Sequence, residues 1–389
     1  MRSVGLDLGS KKTSYCIIED GRVIKRGTVT CIDELEGKLG PGTPPATVAF
    51  EACREAWYVH ALVTGWGQNA VMIDTTRVRR IGVGEHGRKN DRIDAEAIAW
   101  ATERNQIPPA HVLSVERQKL RTELMTRRAI VESRTQMATT VRAIVRTEGL
   151  KLPSCDTDNF VSTARGQPLP PVVRAAVQPL LAVLAVVQQQ LCTMDERIEK
   201  LAAAEPATRL LMTVPGVSLI VAAMFVAVID QAKRFRSARQ VAAYLGLVPR
   251  EDSSGKRDQR LGAITKQGNS YMRALLVQAA WTVLRRTDES DPLVRWGRAL
   301  AVRRGKRVAV VALARRLACV LWALWRRGTA YDPAHVAELS AEGLERNAEV
   351  IAGQAESVRR EALKSKQRVS ALQRRRAAAS RLALAQSTS

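Results

Sequence analysis

Aromatic residues make up only 4% of this sequence, so its cores are expected to be built mainly from Ala, Val and Leu in helices. The six cysteines, Cys16, Cys31, Cys53, Cys155, Cys192 and Cys319, are scattered without a C-x-x-C pair. Neither a disulfide framework nor a zinc site is therefore indicated, and a reducing cytoplasm is the expected compartment. No uninterrupted apolar run reaches bilayer-spanning length, and the opening Met1-Arg-Ser-Val-Gly-Leu-Asp does not read as a secretory signal. A membrane is not expected as a partner. The G-x-G-x-x-G fingerprint is missing after the first strand, which argues against a plain dinucleotide-binding unit.

Positive charge is what the sequence has in excess. Over 389 residues the formal net charge is +23, which points to a polyanionic partner, and nucleic acid is the usual one. The excess is local. Residues 1–100 carry 14 Lys/Arg against 13 Asp/Glu, whereas residues 231–330 carry 22 against 6. One region can host a carboxylate cluster while another supplies a phosphate-binding surface. A generally arginine-rich proteome would raise the total but not concentrate it. The length suits two or three domains, and 46% hydrophobic residues are enough to give them cores.

Residues 2–8, Ser14–Ile18 and Arg22–Val29 read as three strands, the last two joined by a turn at Glu19-Asp20-Gly21. Ala46–Phe50, a helix from about Arg54 to Thr64, and Ala70–Ile73 then alternate strand and helix. This succession predicts an α/β sheet. Residues 114–149 form one long charged helix pattern. After a proline-marked connection, Leu180, Leu184, Val187, Leu191, Met194, Ile198 and Leu201 recur in four–three steps, fitting either a coiled coil or an amphipathic bundle helix. Leu211-Met-Thr-Val-Pro-Gly-Val predicts a helix end, a tight turn and a new helix, an arrangement that can aim backbone N–H groups at phosphate. Helices near 236–245 and 268–286 flank a polar loop, and another covers about 305–326. Beyond about residue 340 the chain is Ala/Arg/Glu-rich, either a solvated helix or a nucleic-acid-binding tail.

Four acids are spaced as a two-metal site requires. Asp7 lies in a strand among Val4, Leu6 and Leu8; Glu51 ends Ala46-Thr-Val-Ala-Phe50; Asp91 and Asp94 stand three apart at a helix start. Asp91 alone is accounted for as a helix cap, and Asp94 and Glu96 as solvated side chains. Asp7 is harder to dismiss, because an acid within an apolar strand needs a reason. The order strand Asp, strand-end Glu, helical Asp-x-x-Asp is more informative than any one position. Several carboxylates can hold paired divalent ions for phosphoryl transfer.

Val4-Gly-Leu-Asp7-Leu-Gly, Val48-Ala-Phe-Glu51-Ala and Arg88-Lys-Asn-Asp91-Arg-Ile-Asp94-Ala resemble the DEDD, RuvC-like domain of the insertion-sequence transposases called the one-ten family. Leu211-Met-Thr-Val-Pro-Gly-Val, the run from Arg234 to Arg250, Ser253-Ser-Gly, and Ile264-Thr-Lys-Gln-Gly-Asn-Ser-Tyr-Met-Arg273 resemble its C-terminal domain. Each motif is weak alone; the ordered set over residues 1–330 is specific. The resemblance implies an α/β plus α chain: a RuvC/RNase-H-like catalytic domain over 1–113, long helices or a coiled coil over 114–205, a mainly α transposase domain with a serine loop over 206–330, and a basic tail over 331–389. It implies a DNA recombinase in which Asp7, Glu51, Asp91 and Asp94 bind Mg²⁺ (or Mn²⁺). A serine matching Ser254 attacks DNA and forms a phosphoserine link, conserving the phosphodiester's energy so that strands rejoin without ATP. Lys256, Arg257, Lys266 and Arg273 are the expected nucleic-acid contacts. Donor and target DNA, a structured guide RNA and a homo-oligomer, dimer or tetramer, are the implied partners.

Read as residues alone, Ser253-Ser254-Gly255 is more simply a flexible turn, and the resemblance is what favours a nucleophile. Two departures stand out: Glu51-Ala-Cys-Arg-Glu lacks the Gly-Thr/Ser that follows this acid in the family, and the chain extends well past the shared core. A RuvC-like junction nuclease using water is the alternative reading. Gly5-Leu-Asp7-Leu-Gly9-Ser10 also resembles a phosphate-binding turn of sugar kinases and actin-like ATPases, but no second such loop follows.

Overall fold

The first strands of the chain are short apolar runs, two of them buried over most of their length, and in the computed structural model they build one sheet. Residues 2–74, 91–251, 261–286, 288 and 290–334 are described. The chain divides into two units, Met1–Ser114 and Val115–Ser389.

In the first unit, β1 (Arg2–Leu8), β2 (Thr13–Glu19), β3 (Arg22–Val29), β4 (Thr47–Glu51) and β5 (Asn69–Ile73) are ordered β3-β2-β1-β4-β5. The β1–β2 and β2–β3 pairs are antiparallel; β1–β4 and β4–β5 are parallel. A short helix, α1 (Glu36–Leu39), follows β3, and α2 (Ala56–Gly65) crosses from β4 to β5. Even-numbered Val4, Leu6, Val48 and Phe50 point to one face, where they pack with Val59 and Val63 of α2. Odd-numbered residues of β1, β4 and β5 point to the other face, which is covered by α3 (Asp91–Glu103): Ala49 and Ile73 meet Ile98, while Cys16 of β2, paired with Gly5, meets Ala99. Residues 108–110 return along β5 through Asp74 N–H to Pro108 O and Ala110 N–H to Met72 O, covering that edge.

The second unit is mostly helical. α4 (Val115–Thr147) and α6 (Pro171–Ala203) pack as an antiparallel hairpin, with α5 (Phe160–Arg165) at its far end. Cross-links record the direction: Arg117 with Glu205, Glu123 with Arg197, Arg127 with Asp195, and Arg134 with Gln188 at 3.0 Å. The buried stripe of α6 is Val173, Val177, Leu181, Leu184, Leu191, Met194, Ile198 and Ala202. This corrects the seam read from sequence, because Leu180 and Val187 are half-buried and Leu201 is 41% exposed. The stripe advances at the 3.6-residue period of a straight helix, whereas the four–three reading assumed 3.5, so the two drift apart along the helix.

Beyond the hairpin, α7 (Pro206–Leu211), α8 (Leu219–Ile229), α9 (Ala238–Tyr244), α10 (Ser270–Arg285), α11 (Pro292–Arg304) and α12 (Lys306–Arg327) share one core. Every residue from Val221 to Ile229 is buried, as expected of a helix apolar all round. Helices α6 and α12 are long and apolar enough to cross a membrane by length and composition, a property that counting only uninterrupted runs does not register. In α12 that length is used in the core, where Leu313, Leu317 and Leu321 are fully buried.

Candidate active site

Gly5 sets the geometry of the acidic end. A Cβ there would meet Ala95 O at 2.2 Å and Ala99 N at 2.4 Å, so only glycine lets the α3 backbone lie on β1. The helix runs opposite to the strand: Ser3 Oγ donates to Glu103 Oε2 at 2.5 Å near the strand's start. Two residues past Gly5 along β1 is about 7 Å, and one turn back from Ala95 along α3 is about 6 Å, so Asp7 stands level with the first turn of α3. That turn holds Asp91 and Asp94.

Asp7 and Glu51 each lie one residue past the registered pair Leu6–Phe50, at adjacent strand ends and on the α3 side. Asp94 is buried on the same stripe as Ala95, Ile98 and Thr102, which rules out the solvated reading of this acid. Asp91 is exposed at the helix start, while Asp7 and Glu51 are half-buried. Glu96 pairs with Arg26 at 3.0 Å. The sheet and α3 therefore bring all four expected acids to one end of one face. As the side chains stand, no three acids, histidines or cysteines among the described residues form a set that holds a metal ion.

The sequence reading missed two neighbours. Ser14 pairs with Asp7 across β1–β2, is buried, and approaches Thr28 Oγ1 at 3.4 Å. Cys16, two residues on, has its thiol pushed up to about 11 by burial and by nearby Glu96, so it stays neutral. No pattern in the sequence singles out either, because every residue of β2 from Thr13 to Ile18 is buried.

Ser254, Lys256 and Arg257 lie outside the described residues, as does Ser253. Their surroundings differ from the polar loop expected. Residues 252–260 connect two paired strands, β6 (Pro249–Glu251) and β7 (Leu261–Ile264), with Pro249 opposite Ile264 and Glu251 opposite Leu261. The base of this hairpin is built from backbone. Thr265 N–H donates to Val248 O at 2.9 Å, and Lys266 N–H to Gly246 O at 3.1 Å. A Cβ on Gly268 (φ +70°) would meet Tyr244 O at 2.1 Å, and one on Gly246 (φ +68°) would meet Gln267 O at 2.2 Å. Lys266 is exposed with φ +56°. Arg273 is half-buried, and its Nη1 donates to Leu245 O at 3.3 Å and to Gln267 O. Its guanidinium thus fastens the end of α9 to the start of α10.

The helix turn at Pro215-Gly216 packs inward: a Cβ on Gly216 (φ +78°) would meet Ala279 O of α10 at 2.8 Å.

A family model of DEDD transposases named for IS110, described as transposase, matches residues 4–148 and so spans all four acids. A second, described as transposase of the IS116/IS110/IS902 family, matches residues 208–295 and spans the hairpin. A probable family 20 transposase of Pseudomonas aeruginosa is 32% identical over 75% of this chain and 87% of its own length. The chain belongs to the IS116/IS110/IS902 transposase family. Similar transposases include those of insertion sequence IS1111A in Coxiella burnetii, 30% identical over 85% of this chain and 91% of that one, and of IS1328 in Yersinia enterocolitica, 30% identical over 85% and 98%. Membership implies an enzyme that cuts and joins DNA, with DNA as its partner, and the DEDD domain suggests a need for a divalent metal.

Proposed function

We propose that this transposase recombines DNA through a phosphoserine intermediate formed at Ser254, with a divalent metal held by Asp7, Glu51, Asp91 and Asp94. The observation that carries the reading is the meeting of two adjacent strand ends, Asp7 and Glu51, with the first turn of α3 on one face of the sheet. Three antiparallel strands followed by two parallel ones also agree with a RuvC/RNase-H-like domain. The donor set fits a hard ion, since carboxylate oxygens are the ligands that Mg²⁺ and Mn²⁺ prefer. When bound, such an ion offsets charge developing on the phosphoryl oxygens.

The chain's own groups supply the covalent step. Ser254 Oγ forms a bond to phosphorus while the bond from phosphorus to the deoxyribose oxygen breaks, and the proton of Oγ passes to the departing hydroxyl. Attack by a second strand's hydroxyl reverses the step and restores the serine. No phosphodiester is lost, so no ATP enters the balance. Lys256, Arg257 and Lys266 stand close in sequence to offset phosphoryl charge, and Arg273 holds the base of the hairpin. A structured guide RNA, a partner carried by the family resemblance, is part of the same proposal.

The test is trapping. Wild-type protein with DNA spanning its element's ends is expected to give a denaturant-resistant protein–DNA adduct and rejoined product. Ser254→Ala and Asp7→Asn are each expected to reduce rejoining by at least about 10³-fold. Cleavage by Ser254→Ala at the wild-type rate would transfer the chemistry to water and support a junction nuclease. Sequencing the nucleic acid that copurifies with the protein checks for the guide RNA.

A further inference from the structure

From Pro292 to Arg327 the sequence contains ten Lys/Arg and no Asp or Glu. Four of these cations crowd one corner. Arg303 and Arg304 end α11, Lys306 and Arg307 begin α12, and Gly305 alone separates the helices. Gly305 has φ 82° and ψ 153°, a conformation open to glycine, and it serves both helices: its N–H donates to Ala301 O and its carbonyl accepts from Ala309. The corner stands clear of the core. Burial in α11 stops at Gly297, which touches Leu313, and resumes in α12 only at Ala309. Residues 302–308 are all exposed, Val302 by 88%.

Local physics does not favour this arrangement. Arg303 and Arg304 suit a helix C-terminus, but Lys306 and Arg307 sit in the first turn of α12, where the helix dipole disfavours positive charge. Gly305 offers no side-chain cap to the N–H groups of that turn. Among the described residues none of the four cations has an acidic partner. Other arginines of this unit are committed to backbone: Arg234 Nη1 donates to Ile229 O at 2.7 Å, and Arg326 Nη1 to Phe235 O at 2.5 Å. A site that repels itself and lacks counter-charge becomes favourable only when an anion occupies it.

We propose that the α11–α12 corner, Arg303, Arg304, Lys306 and Arg307, is a clamp for the phosphate backbone of duplex DNA. It rests on the reading of the chain as a DNA-acting transposase and adds a surface outside both family-model matches, which end at residue 295. Duplex DNA presents a charge about every 1.7 Å of axis, so four cations within about two helical turns match several neighbouring phosphates. The contact reads no bases; it adds affinity and holds the duplex to this face.

The experiment is a salt titration of full-length protein binding a labelled duplex. Combined Arg303→Gln, Arg304→Gln, Lys306→Gln and Arg307→Gln is expected to lower the slope of log K against log salt by about 3 to 4, since each phosphate contact contributes about 0.9. Affinity at about 50 mM salt is expected to fall at least about tenfold, with the melting temperature unchanged. Replacing the three arginines by lysine is expected to keep the wild-type slope. A control set with equal charge loss, Lys151→Gln, Arg165→Gln, Lys200→Gln and Arg209→Gln, is expected to leave the slope near wild type. An unchanged slope in the corner variant, an equal drop in the control, or a loss confined to a matched RNA hairpin would each overturn the proposal. Wild-type protein that binds no duplex at all would instead sink the DNA reading beneath it.

Discussion

In the unit Met1–Ser114, backbone rests on backbone: α3 lies against β1 at Gly5, with Arg26 paired to Glu96 beside it. In the unit Val115–Ser389, helices are tied by long side chains, with Arg117, Arg127 and Arg197 each reaching a carboxylate across the α4–α6 hairpin. The first arrangement holds positions tightly and brings acids to one end of a sheet. The second covers large helical faces with few aromatics and leaves many cations on the surface. Charge therefore means different things in the two units. An acid in the first is informative by its position alone, whereas an arginine in the second must be sorted by what it touches. Arg273 and Arg326 satisfy carbonyls and build the fold, while Arg303 and Arg304 touch no acid and are available to a ligand.

The sharpest way to break this contrast is Gly5→Ala. The added carbon would overlap Ala95 O and Ala99 N, so either α3 lifts from β1 or the strand bends. A loss of about 3 kcal/mol is expected, together with recombination activity, because Asp91 and Asp94 move with the helix. Urea unfolding checks the first, and rejoining assays the second. Gly37→Ala, where a Cβ meets nothing within 4 Å, is the matched control and is expected to change neither. Equal behaviour of the two variants would show that the close approach is not what positions the acids.

Next in size is Gly268→Ala, at a place in the second unit that uses the first unit's device. The residue has φ +70° and would drive a carbon into Tyr244 O. About 2 kcal/mol is expected from the strained backbone and the overlap. Adduct formation should fall further than stability alone explains, since this glycine closes the base of the hairpin that carries Ser254. Comparing adduct yield with the folded fraction at each temperature separates the two effects. A yield that simply follows the folded fraction would mean that the hairpin's position is irrelevant to chemistry.

What could be read in advance follows the same division. The sheet was legible because short apolar runs are separated by turn residues, and Asp7 was legible because an acid within an apolar strand, beside Val4, Leu6 and Leu8, needs a reason. The acids' grouping was legible only as an order; the close approach at Gly5 that produces it depends on a helix about ninety residues away. Ser14 gave no signal, since a buried serine in a strand looks like any other. In the helical unit α4 was evident as one long charged helical pattern and α12 as a further helix, but the β6–β7 hairpin was not, because two very short strands around a polar connection carry no periodicity. Arg273 was expected at nucleic acid, and the structure gives it a backbone task that no pattern of charges reveals.

The smallest effect tests the second unit's own mode of assembly. Arg127 reaches both oxygens of Asp195, through Nε and, at 3.2 Å, through Nη2, a two-point contact across the helical hairpin. Bidentate geometry favours it, yet Asp195 is 46% exposed, so solvent screens the charge. Arg127→Ala is therefore expected to cost about 0.5–1 kcal/mol, falling further as salt is raised. Arg127 also touches Tyr271, whose hydroxyl is raised mainly by burial and held down by this arginine. Removing the guanidinium should raise the Tyr271 pKa again, which ultraviolet titration can follow. A double-mutant cycle with Asp195→Ala isolates the pair from the tyrosine contact. A coupling energy well above 1 kcal/mol would mean that this hairpin is held by buried electrostatics, in the manner of neither unit as described.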